Sequence, residues 1–200
     1  MLALAEQGAP DGCWLRAGRQ TGGRGRMGRN WESPAGNLYC STLVRVTAGD
    51  PPAHTLALVA ANAVHALVAP LCAGSARIKW PNDILVDGAK IAGILLERVG
   101  DAVVVGIGVN VAGHPEGLDR PVTSLKALGA IEADAGALLE RLAATQPAAQ
   151  LAGVDPVPEM LASARRKLPS AVALRPGWAE QLPFDDSQFD IVVSCNMFHF

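Results

Sequence analysis

Ile84-Leu85-Val86-Asp87-Gly88-Ala89-Lys90-Ile91-Ala92-Gly93-Ile94-Leu95-Leu96-Glu97-Arg98 is the stretch on which the fold turns. Two aliphatic runs flank Asp-Gly, a dipeptide that accepts the positive φ values of a tight hairpin turn. Residues 84–86 and 90–98 therefore read as the arms of a β-hairpin. On its C-terminal side, residues 101–111 read as a buried strand with Gly106 and Gly108 inside it. Glycine in a strand marks close packing or the approach of a ligand or another backbone. On its N-terminal side, residues 76–80 read as a strand stopped by Pro81-Asn82-Asp83. Residues 51–71 read as a helix with Leu56, Val59, Ala60, Ala63, Val64 and Leu67 as its core stripe. Asp50 before Pro51 reads as its start. Residues 37–46 read as a strand with Leu38, Cys40, Thr42, Val44 and Val46 on one face. Residues 13–17 form a shorter strand, and residues 1–8 the tail of a helix stopped at Gly8 and Pro10. Residues 19–36 have no apolar periodicity and read as a loop. The sum is an α+β sheet with helices on one side.

After Ser124 the texture changes. Residues 131–145 read as an Ala/Leu helix, 150–155 as a strand ending in Asp155, and 157–168 as a helix. Residues 171–175 and 188–195 read as further strands. Alternating helices and strands indicate a parallel α/β sheet. The chain thus reads as two unlike pieces joined near residues 130–147, with no internal repeat.

The 200 residues are half apolar and 18% charged, which excludes wholesale disorder. A net charge of −2 excludes a surface that is basic throughout, but not a local basic patch. Cys13, Cys40, Cys72 and Cys195 are dispersed and form no CxxC pair, so zinc-site spacing is absent. They read as reduced thiols in a cytoplasmic protein. Residues 1–10 lack the pattern of a signal peptide. The apolar stretch 56–71 contains Asn62, His65 and Pro70 and reads as a core helix, not a membrane span.

Three clusters carry chemistry. Between Trp14 and Trp31 lie Arg16, Arg19, Arg24, Arg26 and Arg29, with Gly22, Gly23, Gly25 and Gly28 and no acidic residue. Glycines leave backbone N–H groups open to an anion, and guanidinium forks suit phosphate or carboxylate. An RNA contact, a phosphate cradle and a solvated loop all fit. Lys79-Trp80-Pro81-Asn82-Asp83 ends a strand in a lysine, which needs an anionic partner if buried or snorkels if at an edge. Gly106-Ile107-Gly108-Val109-Asn110-Val111 fits either close packing or a ligand.

Taken together, these clusters resemble the catalytic domain of biotin protein ligases. The resemblance rests on residues 19–31, on Ser33-Pro34 with Asn37-Leu38-Tyr39, on Lys79 to Leu85, on Lys90 to Glu97 and on Gly106 to Val111, and spans residues 2–130. It implies a two-step reaction that needs ATP, biotin and Mg²⁺. Biotinyl-5′-AMP forms first, and its acyl group passes to a lysine on the biotin carboxyl carrier domain of a carboxylase. By motif, Lys79 and Arg26 would be catalytic, with Lys79 contacting the biotin carboxylate and the α-phosphate. Arg24, Gly25 and Arg26 would fold over the adenylate, Gln20 would line the biotin pocket, and Gly108 and Asn110 would border the nucleotide. No resident metal site, nucleic acid or membrane is expected. Members carry a Ser-Thr-Asn strand ahead of the first helix and a small C-terminal β-domain. Neither is recognisable here, so a ligase impaired by truncation is expected.

Residues 151–165 and 179–194 resemble class I S-adenosylmethionine-dependent methyltransferases. The resemblance implies that Asp155 binds the cofactor ribose and that Ala179 and Glu180 lie near its adenine; Asp155 also fits a helix N-cap. The glycine-rich turn of that family has only Gly136 in place. The expectation is a ligase-type mixed sheet over residues 1–133, followed by a partial Rossmann-like segment over 134–200. The alternatives are a truncated methyltransferase and an RNA-binding protein using the Arg-Gly loop.

Overall fold

The hairpin forms as read. In the computed structural model, β4 (Asp83–Val86) and β5 (Ala89–Val99) are joined through Asp87 (φ 49°) and Gly88 (φ 83°), both in the left-handed region. The structure describes residues 1–144, 152–167, 173–178, 181 and 183–185. The chain separates into two compact units, Met1–Pro147 and Ala148–Phe200.

In the first unit, β1 (Trp14–Ala17), β2 (Leu38–Arg45), β3 (Ala76–Lys79) and β6 (Ala102–Val109) join the hairpin. They make a six-stranded antiparallel sheet in the order β1-β2-β6-β5-β4-β3. A single parallel bridge, Lys90 to Val122, ties the following loop to the start of β5. The register sets Gly108 of β6 opposite Gly93 on one side and Tyr39 on the other. Two glycines side by side leave a flat strip of backbone in the middle of the sheet.

One face of the sheet is covered by α2 (Leu56–Val68). The buried positions of α2 are Ala57, Ala60, Ala61, Val64, Leu67 and Val68, while Val59 is exposed. The expected stripe was therefore rotated by about one residue. LALVAANAVHALV is apolar on nearly every side, so periodicity alone does not select a face. The small side chains Ala57 and Ala61 face inward and let the helix approach the strands. Asp50 does not start this helix. Its carboxylate accepts from the N–H and hydroxyl of Thr47 (2.6 and 2.9 Å) and closes a turn ahead of the helix.

The opposite face is covered at one end by α1 (Leu2–Glu6), where Ala5 packs with Leu43, Ala102 and Val104. The alternation in β2 thus buries residues on both faces. A further helix, α3 (Ala135–Ala144), places Ala135, Leu138 and Leu142 in the main core. Asp134 caps it by accepting from the N–H groups of Gly136 and Ala137 (2.8 and 3.0 Å).

The second unit contains β7 (Ala152–Asp155), α4 (Pro158–Lys167) and β8 (Ala173–Pro176). The strands pair in parallel, as the alternation predicted. The expected strand at residues 188–195 lies outside the described residues.

Candidate active site

The basic loop builds itself from its own backbone. Trp31 donates its N–H to the Gly23 carbonyl (3.0 Å), and Gly25 donates to the Arg29 carbonyl (2.7 Å). Arg24 and Asn30 bridge, and the turn closes through Met27 (φ 58°) and Gly28 (φ 70°). This small antiparallel flap is anchored by side chains on the sheet. Arg24 pairs with Glu97 of β5 (2.9 Å), an exposed contact contributing under about 1 kcal/mol. Arg26 donates to Asn82 (3.4 Å). Asn82 is itself fixed by donating to the Ile94 carbonyl (2.9 Å).

Trp31 ends the flap and lies on the glycine strip. A Cβ added at Gly108 would come within 2.8 Å of the indole, and one at Gly93 within 3.0 Å. The two glycines are required by this ring, a packing role that spacing alone leaves open. The indole Nε1–H is buried and meets no acceptor.

Beside the ring stands Lys90. Its side chain is 10% exposed, and its ammonium lies 2.5 Å from the Asp83 carboxylate and 5.3 Å from the Trp31 ring centroid. Burial pulls the Lys90 pKa below its usual 10.5. The bond to Asp83 opposes that shift, while the charges of Arg120 and Lys79 add to it. Lys90 is held as a desolvated cation.

These groups line one cavity of about 490 Å³, within the range of small-molecule sites. Gln20, Arg24, Gly25, Arg26 and Gly108, all predicted from sequence, lie on its walls, with Lys90, Asp83 and Arg120. Gln20 accepts from Ser33 (2.8 Å). Lys79 and Asn110 are not brought to the cavity wall. Lys79 is exposed at the end of β3, opposite Asp83 in register. Asn110 is buried and splices chain segments. It donates to the Thr123 carbonyl (3.0 Å), and its backbone pairs with Ile91 and Leu125. Sequence reading gave no role to Lys90, although the signal was present: a lysine between Ala89 and Ile91 at the start of a run, residues 89–96, that is otherwise uncharged. Asn37 does structural work comparable to that of Asn110. The Asn37 carbonyl oxygen accepts from the N–H groups of Val111, Ala112 and Gly113 at 2.9, 2.8 and 3.1 Å. Among the described residues, no three His, Cys, Asp or Glu side chains group to hold a metal ion. In the second unit, the Asp155 carboxylate accepts from the N–H of Val157 (2.8 Å), capping the entry to α4. Ala179 and Glu180 lie outside the described residues.

The biotin/lipoate A/B protein ligase family model matches residues 7–112, more than half of the chain. The chain belongs to this family. A methyltransferase domain model matches residues 133–200. A biotin–[acetyl-CoA-carboxylase] ligase of Paracoccus denitrificans is 46% identical over 116 residues, 54% of this chain and 48% of that protein. The corresponding Mycobacterium tuberculosis ligase is 43% identical over 150 residues, 71% of this chain and 56% of that protein. The chain therefore spans about half the length of these curated relatives. Among solved structures, the Aquifex aeolicus biotin protein ligase in complex with biotin and ATP matches with a TM-score of 0.61 and 33% identity, over 70% of this chain and 61% of that one. The Leishmania major enzyme in complex with biotinyl-5-AMP matches with a TM-score of 0.61 and 27% identity, over 70% and 65%. The ligase-type sheet expected from the sequence is thus the fold of the first unit.

Proposed function

We propose that this chain carries the site of an ATP-dependent biotin ligase, and that Lys90 holds its reaction centre. The observation that carries the reading is a desolvated lysine on a glycine-lined floor beneath an arginine flap. A carboxylate and a phosphate repel each other as they join, and a cation between them is worth most where water is excluded. The biotin carboxylate oxygen attacks the α-phosphorus of ATP, and pyrophosphate leaves. Lys90 faces the two anions, with Arg24 and Arg26 closing from the flap. In the second step the amine of a carrier-domain lysine attacks the acyl carbonyl, the amine loses its proton, and AMP leaves. Mg²⁺ enters with the nucleotide phosphates. The flap keeps water from the mixed anhydride between the steps. The partner is the biotin carboxyl carrier domain of a carboxylase, met in the cytoplasm.

Mass spectrometry of an acceptor domain incubated with the full chain, biotin and MgATP tests this reading. Addition of one biotinyl group, lost in Lys90→Met and retained in Lys79→Ala, is the expected result. Loss in Lys79→Ala with retention in Lys90→Met would return the central role to Lys79. No transfer and no adenylate with the parent chain would refute the ligase reading.

For the second unit, the parallel β7–β8 pair with Asp155 at its edge favours a methyltransferase-like segment. Its second carboxylate oxygen is the group that would meet a ribose hydroxyl of S-adenosylmethionine. Titration with that cofactor, in which binding is lost in Asp155→Ala, tests the assignment.

A further inference from the structure

Arg120 stands where the loop after β6 runs along the start of β5. The next residues are stitched to Lys90 itself. Lys90 donates its N–H to the Pro121 carbonyl (2.9 Å), and Thr123 donates to the Lys90 carbonyl (2.9 Å). Arg120 is thereby fixed close to the buried ammonium, and it lines the same cavity. Asp83 pairs with Lys90, and the charge of Arg120 acts on the same ammonium. Among the described residues the ion pairs are Arg24–Glu97, Arg45–Asp101 and Lys90–Asp83, and Arg120 takes part in none.

The donor accounting points the same way. Among the described residues, three buried side-chain polar atoms lack a hydrogen-bond partner: Trp31 Nε1, Arg120 Nε and Asn62 Oδ1. The two that are N–H donors both belong to residues lining this cavity. A shielded guanidinium N–H with no acceptor is costly, and the cost is relieved when an oxyanion accepts from it.

We propose that Arg120 binds an oxyanion of the substrate beside Lys90, either the acyl carboxylate or a nucleotide phosphate. This rests on the ligase reading and adds a binding residue that the motifs did not supply. Arg120 comes from the wall of the site opposite in sequence to the arginine flap, so its charge is in place whether or not the flap has closed. Planar guanidinium geometry suits both oxyanions, and a point-charge lysine replaces it only in part.

The test is calorimetric titration of the full chain and its Arg120→Gln and Arg120→Lys variants with biotin, uncharged biotinamide and MgATP. Arg120→Gln should weaken biotin or MgATP by about 10-fold or more, the loss of one charge-assisted hydrogen bond. Biotinamide binding should change less than about twofold, and Arg120→Lys should recover part of the loss. A loss confined to biotin assigns the carboxylate, and one confined to MgATP assigns a phosphate. Equal loss for biotin and biotinamide would show a structural role and overturn the proposal, as would unchanged binding of both biotin and MgATP. If the parent chain binds none of the three probes, the ligase reading falls and this proposal falls with it.

Discussion

The Lys90–Asp83 pair makes the sharpest prediction, because its two halves are not equivalent. Both side chains are nearly buried, at 10% and 16% exposure, with 2.5 Å between ammonium and carboxylate. Removing one partner of a fully buried pair costs about 3–5 kcal/mol, since the other charge is stranded. Asp83→Asn strands Lys90 between the charges of Arg120 and Lys79. That loss should fall near the upper end, about 4 kcal/mol. Lys90→Met keeps the aliphatic stem and strands Asp83, but Lys79 is exposed and lies directly opposite Asp83 in register. It can swing in, so about 2 kcal/mol is the expected loss. The double variant buries no charge and should cost about 1 kcal/mol, which implies a coupling of about 5 kcal/mol between the two side chains. Urea unfolding followed by tryptophan fluorescence and circular dichroism, with m-values compared, measures all four corners. Additivity within about 0.5 kcal/mol, or a larger loss in Lys90→Met than in Asp83→Asn, would refute the reasoning.

The same pair has a pH signature. Burial holds the Lys90 pKa below 10.5, so the unfolded chain keeps this proton at pH values where the folded chain has lost it. The Lys90 contribution to stability therefore rises as pH climbs through the depressed pKa towards 10.5. The difference in stability between parent and Lys90→Met should shift in that window. A difference independent of pH would mean that Lys90 is not desolvated.

Other expectations follow from the core and the glycine strip. Burial pushes the Cys40 thiol from 9.0 up to about 12. The unfolded chain then releases the proton first, and stability falls by about 1.4 kcal/mol per pH unit between those values. A Cys40→Ala variant should lack that slope, and native-state alkylation near pH 8 should leave Cys40 intact. Gly108→Ala forces the Trp31 ring off the sheet from 2.8 Å, costing about 1–3 kcal/mol and shifting indole emission. Unchanged emission and stability would show that the ring does not rest there. Asn37→Ala orphans three N–H groups and should cost about 3 kcal/mol or more in urea unfolding, whereas Asn37→Asp, which keeps the acceptor, should cost less.

Much of the first unit was legible because its strands obey strong local rules. Asp87-Gly88 dictated a hairpin, and Pro81 ended β3. What was not legible depends on which face meets which. The α2 sequence is apolar all round, so only the sheet beneath it decides that Ala61 faces in and Val59 faces out. Sequence clusters drew attention to Lys79 because it stands in a conspicuous Lys-Trp-Pro-Asn-Asp run. Lys90 reads only as the first residue of a hairpin arm after Asp-Gly-Ala, and nothing local shows that it is buried. Its burial comes from the Val122 bridge and the Trp31 ring, contacts made across 32 and 59 residues of chain.

The helix α3 shows the same limit at the join between the two pieces. A Gly-Ala-Leu-Leu-Glu-Arg-Leu run is compatible with a late helix of a ligase domain and with the first helix of a methyltransferase. A family model for the latter begins at residue 133. The buried face decides what this helix does in the folded chain. Ala135, Leu138 and Leu142 belong to the same core as Leu38, Val64 and Val109. Arg16 of β1 reaches within 3.1 Å of the position a Cβ would take at Gly136. A helix with three core positions and a sheet arginine at its first turn cannot leave without opening α2 to water. Whatever the ancestry of residues 133–144, they complete the ligase-type core, and the second unit begins structurally after them.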